Sequence, residues 1–331
     1  MTLRIGIAGL GFGANLLHTC LTRDDCVVAA VADRDPARRA PAEAKGIRGY
    51  DEAAEMVREA GLDALVLATA PHFRAEALSA ALEAGLPVFV EKPLAATPDQ
   101  ARALVERCRG GKVMVGFSFR FHAPVAKLIE TVRSGALGRP MLLNAEYLFD
   151  WLPPADGWLW DREKGGGFFN ENSCHLLDVV RALVGMPREV FAHAVTDDRR
   201  PNATAASVSF RTAEGCAGAL TLGGIGTGSF DDFPRLDIAL AEGQARLRGR
   251  QHMWTSLRTA RRGSTLGEQG YEPEALGRTR YSAAFDHFLA AVRGEASIAA
   301  TPEDGLSAVR FADAIYRAIE TGQPQTIEET T

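Results

Sequence analysis

The chain has 331 residues, of which 46% are hydrophobic, and its formal net charge is −5. This length suits two domains, and the composition is that of a globular protein. An acidic chain attracts neither nucleic-acid phosphates nor anionic lipids, so we expect no nucleic-acid partner and no membrane association. The chain opens on a strand pattern rather than on a basic segment followed by an apolar run, so we expect no signal peptide.

The five cysteines are odd in number, and no two of them form a Cys-x-x-Cys pair. This pattern is typical of reduced thiols in the cytoplasm and offers no zinc-site spacing. We therefore expect a cytoplasmic protein without a metal site.

The first third of the chain alternates short apolar runs with amphipathic stretches, which is typical of βαβ units and a parallel sheet. Nearly every residue of the runs is apolar, as expected for strands that helices cover on both faces. The predicted strands are Leu3–Ala8, Val27–Ala32, Ala64–Ala68, Val88–Val90 and Val113–Phe117. The predicted helices are Asp51–Ala60, Arg74–Ala84 and one that begins after Thr97-Pro98, with Thr97 as its N-cap.

The pattern changes after Phe121. Several runs between Val190 and Leu247 are separated by turn signals, which indicates an antiparallel sheet. The predicted strands here include Met141–Phe149, Ala205–Phe210 and Ala217–Leu222. The predicted helices are Val125–Arg133, Asn170–Val184, Ser282–Arg293 and Pro302–Glu320, and the predicted loops are Trp151–Trp160 and Gly263–Arg278.

A glycine-rich turn, Gly9-Leu10-Gly11-Phe12-Gly13-Ala14, follows the first predicted strand and precedes an apolar stretch. Gly9 permits the tight bend, and Gly11 leaves room for a pyrophosphate. Ala14 replaces the usual third glycine and is small enough for close packing of helix against strand. A helix that starts here offers free N–H groups to phosphates. The turn therefore predicts a dinucleotide site rather than a purely structural bend.

Asp33 ends the second predicted strand, about twenty residues after the turn, where a carboxylate can accept hydrogen bonds from an adenosine ribose. A carboxylate repels the 2′-phosphate of NADP, so Asp33 favours NAD. Arg34 and Arg38 lie close by in the sequence and partly offset this repulsion. NADP therefore stays open as a second cofactor.

The motif Glu91-Lys92-Pro93 directly follows the strand Val88–Val90. Lys92 thus lies at the carboxyl end of a parallel strand, where ligands bind in open α/β sheets. A lysine held there can donate a hydrogen bond to a substrate oxygen and favour developing negative charge. Pro93 restrains the turn and permits a cis peptide bond. Taken alone, the motif favours a surface lysine beside a turn.

Glu171, His175 and Asp178 are spaced four and three residues apart, so they project from one face of the predicted helix. The glycine run Gly165–Gly167 precedes them. Histidine is the usual proton acceptor near neutral pH, and neighbouring carboxylates can orient its ring. The spacing alone leaves open a salt-bridge cluster on a helix surface.

Together these motifs resemble the Gfo/Idh/MocA family, whose namesakes include glucose–fructose oxidoreductase and inositol dehydrogenase. The resemblance extends over nearly the whole chain and is carried by six segments. They are Ile5–Ala14, Ala68–Glu76, Glu91–Pro93, Phe119–His122, Gly165–Asp178 and Ala300–Gly305.

The resemblance implies an α/β fold with an N-terminal Rossmann doubly wound parallel sheet. A C-terminal α/β domain with a large, mostly antiparallel sheet would follow it. We place the dinucleotide-binding domain in residues 1–120 and the substrate-binding and oligomerisation domain in residues 121–331. The resemblance also implies a homodimer or homotetramer, since many members assemble through the second sheet.

Residue roles also follow from the resemblance. Lys92 would contact substrate and nicotinamide, and His175 would be the general acid and base. Glu171 stands where the family usually has aspartate, Ser173 replaces a frequent glycine, and Arg74 stands where histidine is common. These departures bear on the substrate more than on the fold.

The expected site residues form three sets. The predicted catalytic residues are Lys92, His175, Glu171 and Asp178. The predicted cofactor-binding residues are Gly9, Gly11, Phe12, Gly13, Ala14, Asp33, Arg34, Thr69, His72, Glu91 and Lys92. The predicted substrate contacts are Arg120, His122, Trp158, Trp160 and Asn172. Packing in the core or at an oligomer interface is the favoured alternative for the tryptophans, and His122 could equally be a packing residue.

The expected reaction is reversible oxidation of a secondary alcohol on a sugar, cyclitol or sugar-derived metabolite, with NAD or NADP as cofactor. His175 takes the hydroxyl proton, and Lys92 polarises the oxygen. One alternative is an epimerase or glycosidase that oxidises and reduces NAD within one turnover. A second is a non-enzymatic dinucleotide-binding regulator, which the presence of both Lys92 and His175 disfavours.

Overall fold

The computed structural model describes residues 2–271 and 281–328. They form two compact units, each assembled from two stretches of the chain. The first unit comprises the described residues of Met1–Gly116 together with Tyr281–Leu306. The second comprises the described residues of Phe117–Arg280 and Ser307–Thr331. No helix among the described residues is long and apolar enough to cross a membrane.

A parallel sheet lies at the centre of the first unit. Its six strands within the described residues are β1 Leu3–Ala8, β2 Cys26–Ala32, β3 Arg48–Tyr50, β4 Ala64–Leu67, β5 Val88–Val90 and β6 Val113–Val115. They pair in parallel in the order β3-β2-β1-β4-β5-β6. This is the strand order of a doubly wound dinucleotide-binding sheet. The predicted parallel sheet is confirmed, and the short strand β3 is an addition to it.

Helices connect these strands. They are α1 Gly13–Leu21, α2 Pro36–Glu43, α3 Ala53–Glu59, α4 Ala75–Glu83 and α5 Pro98–Arg107. Thr97 is the N-cap of α5, as predicted, and its hydroxyl accepts a hydrogen bond from the Gln100 amide at 3.3 Å. Asp35 caps α2 in the same way, through the Ala37 amide at 2.9 Å. Both caps satisfy N–H groups that a helix start leaves without an intrahelical partner.

The segment Tyr281–Leu306 belongs to the first unit, whereas the sequence-based division at residue 120 assigned it to the second domain. The reason is aromatic packing between distant parts of the chain. The rings of Phe285 and Phe288 lie edge-on against Phe89 of β5, with centroids 6.0 and 5.6 Å away. All three side chains are buried. Local sequence patterns do not reveal such a long-range contact.

The second unit contains a large mixed sheet. Its nine strands within the described residues are β7 Pro140–Leu148, β8 Pro187–Val195, β9 Ala205–Thr212, β10 Ala217–Gly223, β11 Arg235–Leu240, β12 Gly243–Arg250, β13 Met253–Arg261, β14 Gly267–Gly270 and β15 Gln325–Thr326. Their order is β14-β13-β12-β11-β7-β10-β9-β8-β15. Of the described pairings, only β7 with β10 is parallel. The expectation of a large, mostly antiparallel sheet is confirmed.

The loop predicted over residues 263–278 is partly wrong. Gly267–Gly270 forms β14, which pairs with β13 from Ser256 to Thr259. These four residues are polar or glycine and are exposed, so they lack the apolar alternation that marks a strand. Residues 272–278 of the same prediction lie outside the described residues.

Helices cover one face of this sheet. Among the described residues, the remaining α-helices are α6 Ala123–Arg133, α7 Cys174–Val184, α8 Ser282–Val292 and α9 Pro302–Thr321. Of these, α8 lies in the first unit and α9 begins there. Buried and exposed residues alternate strictly along most of β9, as expected for a sheet with one covered face. Buried residues of the strands share one core with Leu128 of α6, Leu177 of α7 and Ile315 of α9. This core places the start of α7 deep inside the unit.

Replacing Phe285 tests whether α8 stabilises the first unit. We expect Phe285→Ala to destabilise the protein by about 3–5 kcal/mol, because it removes a fully buried ring and leaves a cavity. Urea unfolding followed by circular dichroism measures the effect. Phe73→Ala is the matched control, since Phe73 is 56% exposed. An equally small change in both variants would contradict the packing described above.

Candidate active site

The glycine-rich turn after β1 has a backbone conformation that requires glycine and is fixed by a backbone hydrogen bond. Gly9 has φ +86°, and a Cβ at this position would lie 2.6 Å from the Thr69 nitrogen. Only glycine avoids both the strained backbone and this clash. The Gly9 amide donates to the Ala32 carbonyl at 2.8 Å, and α1 begins directly after the turn at Gly13. The turn therefore presents the start of α1 at the carboxyl edge of the sheet.

Asp33 follows β2 and is tied to this turn. Its Oδ2 accepts a hydrogen bond from the Leu10 amide at 2.7 Å, and its Oδ1 accepts one from the Asp35 amide at 3.0 Å. A carboxylate has about four acceptor positions, so these two bonds leave capacity for ribose hydroxyls. Arg38 Nη1 is 3.8 Å from Asp33 Oδ2. The predicted ribose-binding carboxylate and a guanidinium thus lie side by side.

Two further cofactor-binding candidates lie near Asp33. Arg34 pairs with Glu52 at 3.0 Å, and its guanidinium lies 5.2 Å from the centroid of the exposed Phe73 ring. His72 packs against the same ring at 4.0 Å. Arg34 is therefore held between an acidic side chain and an aromatic ring at the surface.

Thr69 lies two residues beyond the end of β4. Its hydroxyl is buried, and among the described residues no side chain or backbone group forms a hydrogen bond with it. A buried hydroxyl without a partner is costly, and a bound ligand would satisfy it. Gly11 adds space, because the nearest atom to a Cβ built there would be Arg38 Nη1 at 3.5 Å. These features fit a bound dinucleotide.

Lys92 lies beside the glycine-rich turn, although about eighty residues separate them in the sequence. It is only 9% exposed, and its ammonium lies 5.7 Å from the centroid of the Phe12 ring. The Lys92–Pro93 peptide bond is cis, as the sequence permitted. Glu91 is also buried, and its carboxylate accepts a hydrogen bond from the Lys92 amide at 3.2 Å. The alternative of a surface lysine is wrong.

Arg74 is a functional candidate that the sequence reasoning passed over. Its guanidinium is buried and donates to the carbonyls of Thr69, Glu91, Pro93 and Leu94. Burial lowers the pKa of Arg74 to about 10, and the Glu91 carboxylate opposes that shift. The only signal in the sequence was an arginine where the resembling family commonly has histidine.

His175 is the second residue of α7 in the second unit, and a π-helical turn, Phe169–Ser173, leads into this helix. The sequence predicted one continuous helix from Asn170. The imidazole is 2% exposed and stacks on the Phe119 ring, with centroids 5.0 Å apart and planes 29° apart. Glu171, inside the π-helical turn, is half-buried. Such turns within helices are frequent at functional sites.

Asp178 and Arg120 form a buried ion pair. Both carboxylate oxygens of Asp178 accept from the guanidinium of Arg120, one of them at 2.8 Å. Arg181 lies 3.7 Å from the same carboxylate. Asp178 is fully buried and the Arg120 side chain is 11% exposed. Removing either partner would therefore leave a buried charge without compensation. Arg120 is also a predicted substrate contact, and in the structure its guanidinium pairs with Asp178.

The two predicted tryptophans differ in exposure. Trp160 is 4% exposed, stacks on Phe168, and donates its indole N–H to the Pro154 carbonyl at 2.8 Å. This favours the packing alternative for Trp160. Trp158 is 39% exposed, so burial does not exclude it as a ligand contact.

His122 and Asn172 complete the predicted substrate set. His122 is buried beside Phe119, and its Nδ1 accepts from the Trp254 amide at 3.5 Å, which favours a packing role. Asn172 is half-buried, and its side-chain oxygen has no hydrogen-bond partner within the part of the chain that the structure describes. Asn172 therefore remains the better candidate for a ligand contact.

The C-terminal helix α9 supports the π-helical turn. The hydroxyl of Tyr316 accepts from the Phe169 amide at 3.2 Å, and the Arg162 guanidinium lies 3.8 Å from the Tyr316 ring centroid. Gly167 has φ +87°, and a Cβ there would lie 2.3 Å from the Tyr316 hydroxyl oxygen. The packing of Tyr316 thus requires a glycine at position 167.

Two family models match the chain, and together they match well over half of it. Residues 3–119 match an oxidoreductase family model described as an NAD-binding Rossmann fold. Residues 125–246 match the GFO/IDH/MocA C-terminal domain. The chain belongs to the Gfo/Idh/MocA family. This confirms the predicted resemblance, the NAD-binding Rossmann domain and an oxidoreductase.

Individual relatives agree with this assignment. Inositol 2-dehydrogenase 2 of Saccharopolyspora erythraea is 35% identical over 56% of this chain, and the matched part spans about half, 55%, of that relative. Inositol 2-dehydrogenase 4 of the same organism is 29% identical over 97% of this chain and 94% of its own length. A solved structure of levoglucosan dehydrogenase with NADH and levoglucosan superposes with a TM-score of 0.87 and 20% identity, covering 99% of this chain and 100% of that one. At this identity the match shows the fold.

The described residues contain no group of three or more histidine, cysteine, aspartate or glutamate side chains arranged to hold a metal ion.

Tyr316 should make the second unit sensitive to alkaline pH. Burial raises the pKa of Tyr316 from 10.0 to about 12. Above about pH 10 the phenol ionises in the unfolded chain but stays protonated in the folded one, so folding stability is lost between about pH 10 and about pH 12. We expect Tyr316→Phe to lose less stability over this range, measured as the urea-unfolding midpoint relative to neutral pH. Equal alkaline losses in both proteins would show that Tyr316 does not titrate this way.

Proposed function

We propose that the protein catalyses the reversible oxidation of a secondary alcohol on a sugar, cyclitol or sugar-derived metabolite, with NAD as the hydride acceptor. The observation that carries this proposal is the buried Lys92 ammonium above the Phe12 ring of the dinucleotide turn. The substrate class is supported by the names of the relatives, which include inositol 2-dehydrogenases.

The residues of the first unit suit NAD. Gly11 leaves space beside the start of α1, the Thr69 hydroxyl has no hydrogen-bond partner among the described residues, and Asp33 retains acceptor capacity. When bound, NAD would supply the acceptor for the hydride of the substrate C–H bond, and NADH would supply the hydride in the reverse direction. The helix start and the backbone amides of the turn would hold the pyrophosphate.

Lys92 holds the reacting oxygen in this proposal. Its ammonium donates a hydrogen bond to the oxygen of the substrate hydroxyl and favours the negative charge that develops there as the hydroxyl proton leaves. Burial strengthens this interaction, because little water competes with it. The Lys92 ammonium lies over the Phe12 ring, and the Glu91 carboxylate accepts a hydrogen bond from the Lys92 backbone amide, so both neighbours help to hold the lysine in place.

His175 accepts the hydroxyl proton in the oxidation and returns it in the reduction. The stacked Phe119 ring fixes the plane of the imidazole, so that little reorientation is needed before proton transfer. Glu171 and Asp178 orient this end of α7, Asp178 through its ion pair with Arg120. Trp158 and Asn172 are the proposed substrate contacts in the second unit, because Trp158 is partly exposed and the Asn172 side-chain oxygen has no described hydrogen-bond partner.

We further infer a cytoplasmic homodimer or homotetramer that acts on small molecules rather than on nucleic acids or membranes. The net charge of −5 argues against nucleic-acid and membrane partners, and the absence of a disulfide among the five cysteines supports the cytoplasm. The oligomeric state is inferred from the family resemblance alone.

The decisive experiment is a screen of NAD reduction against a panel of sugars and cyclitols that includes myo-inositol. At least one secondary alcohol should sustain turnover with accumulation of NADH. Tightly held cofactor without accumulating NADH would favour an epimerase or glycosidase, and binding of NAD without any turnover would favour a regulator.

Removing the proposed acid–base group should abolish most turnover. We expect His175→Asn to lower kcat by about a hundredfold to ten-thousandfold, because general acid–base catalysis contributes on that scale. NAD affinity, measured by titration calorimetry, should persist. His193→Asn is the control, since His193 is exposed on β8. Full turnover by His175→Asn would refute the assignment.

Asp33 should set the preference for NAD. We expect tighter binding of NAD than of NADP by the wild-type protein, and a shift of about tenfold toward NADP in Asp33→Asn, because the variant loses the charge that repels a 2′-phosphate. Titration calorimetry with both dinucleotides measures this. Asp63→Asn is the control, because Asp63 also accepts a backbone amide, that of Arg4 at 2.8 Å, but precedes β4 at the opposite edge of the sheet. Wild-type affinity for NADP at or above that for NAD would contradict the prediction.

A further inference from the structure

Arg74 is an unusual cation for the interior of a protein. It lies between a turn of 3₁₀-helix, Pro71–Phe73, and helix α4, and it is only 1% exposed. A buried charge is costly unless hydrogen bonds compensate it. The Glu91 carboxylate provides favourable charge, and backbone carbonyls provide the hydrogen bonds.

The carbonyls that Arg74 binds surround Lys92. One guanidinium nitrogen donates to Glu91 at 2.6 Å, to Leu94 at 3.3 Å and also to Pro93. These residues lie immediately before Lys92 and one and two residues after it. The peptide groups on both sides of the lysine are therefore bound by one rigid, planar group.

The second terminal nitrogen of Arg74 reaches a different loop. It donates to the Thr69 carbonyl at 2.6 Å, where the chain leaves β4. Arg74 thus connects the loop after β4 to the loop after β5. Both loops lie at the carboxyl edge of the parallel sheet, where the glycine-rich turn also lies.

We propose that Arg74 is a positioning residue for Lys92, whose guanidinium fixes the backbone around the lysine and so holds its ammonium in place for the substrate oxygen. This inference rests on the proposed role of Lys92. A lysine in place of Arg74 would keep the charge but present a single ammonium, which lacks the planar fork needed to serve two loops at once.

A double-mutant cycle between Arg74 and Lys92 tests the proposal. The assay uses NAD and the panel alcohol with the highest turnover. We expect Arg74→Met to lower kcat by about tenfold to a hundredfold, because a displacement of about 1 Å in a reacting group has effects of that size. NAD affinity should persist. In the Lys92→Ala background, Arg74→Met should lower kcat no further, since the residue it positions is gone.

The outcomes separate this inference from the proposed function. Equal effects of Arg74→Met with and without Lys92 would overturn the positioning role and leave the role of Lys92 intact. A loss of NAD affinity with unchanged kcat would also overturn it. Full turnover by Lys92→Ala would overturn the proposed role of Lys92 and, with it, the role of Arg74.

A second measurement needs no substrate. Acetic anhydride modifies lysine amines, and mass spectrometry gives the acetylation rate of Lys92 relative to Lys112 in the same sample. Arg74→Met should raise this ratio several-fold, because the freed loop exposes Lys92. Arg4→Met is the matched control, since Arg4 also binds two carbonyls, those of Ala60 and Gly61, but lies near the amino end of β1. An unchanged ratio in the Arg74 variant would overturn the proposal.

If Arg74→Met does not fold, Arg74→Lys replaces it in both the kinetic and the acetylation experiments. This variant keeps a cation beside Glu91 and most of the side-chain volume, so we expect it to fold. It should still show the lower kcat and the faster acetylation of Lys92, because one ammonium cannot bind the carbonyls of both loops. Wild-type values in a folded Arg74→Lys protein would show that charge alone suffices and would overturn the positioning role.

Discussion

The parallel alignment of β1, β2, β4 and β5 is the constraint on which the first unit's site depends. Parallel strands end at the same edge of a sheet, so whatever follows each strand is brought to that edge. The glycine-rich turn follows β1, Asp33 follows β2, Thr69 follows β4 and Lys92 follows β5. Residues from four separate parts of the sequence therefore become neighbours without any special contact between them.

Polar interactions then hold these neighbours in place. Asp33 accepts the Leu10 amide, the Lys92 ammonium lies over the Phe12 ring, and Arg74 binds both loops beyond β4 and β5. Each of these groups is partly or wholly removed from water, where an unsatisfied donor or acceptor is costly. The same bonds that reduce this cost also make the edge of the sheet rigid. Stability and preorganisation thus have a common physical origin here.

In the second unit, side-chain packing contributes to the rigidity of the candidate site. His175 lies in a helix whose residues are almost all buried, and its ring is stacked on Phe119. Tyr316 of α9 packs against Gly167, and its hydroxyl accepts a hydrogen bond from the Phe169 amide. Helix α9 therefore supports the segment that leads into α7. Asp178 and Arg120 add a buried ion pair whose partners depend on one another.

The sequence by itself determined the parts that local patterns encode. Apolar runs located β1 and β5 to the residue, Thr97 identified the start of α5, and the turn at Gly9 with Asp33 indicated NAD. The sequence did not predict the strands β3 and β14, because they are short or polar and form only by pairing with neighbouring strands. Only the tertiary structure decided the surroundings of the charged and aromatic side chains. In the folded protein, Arg74 is buried beside the loop that carries Lys92, and Arg120 pairs with Asp178. Trp160 lies in the core, and α8 belongs to the first unit. These outcomes depend on contacts between residues far apart in the chain, which no local pattern records.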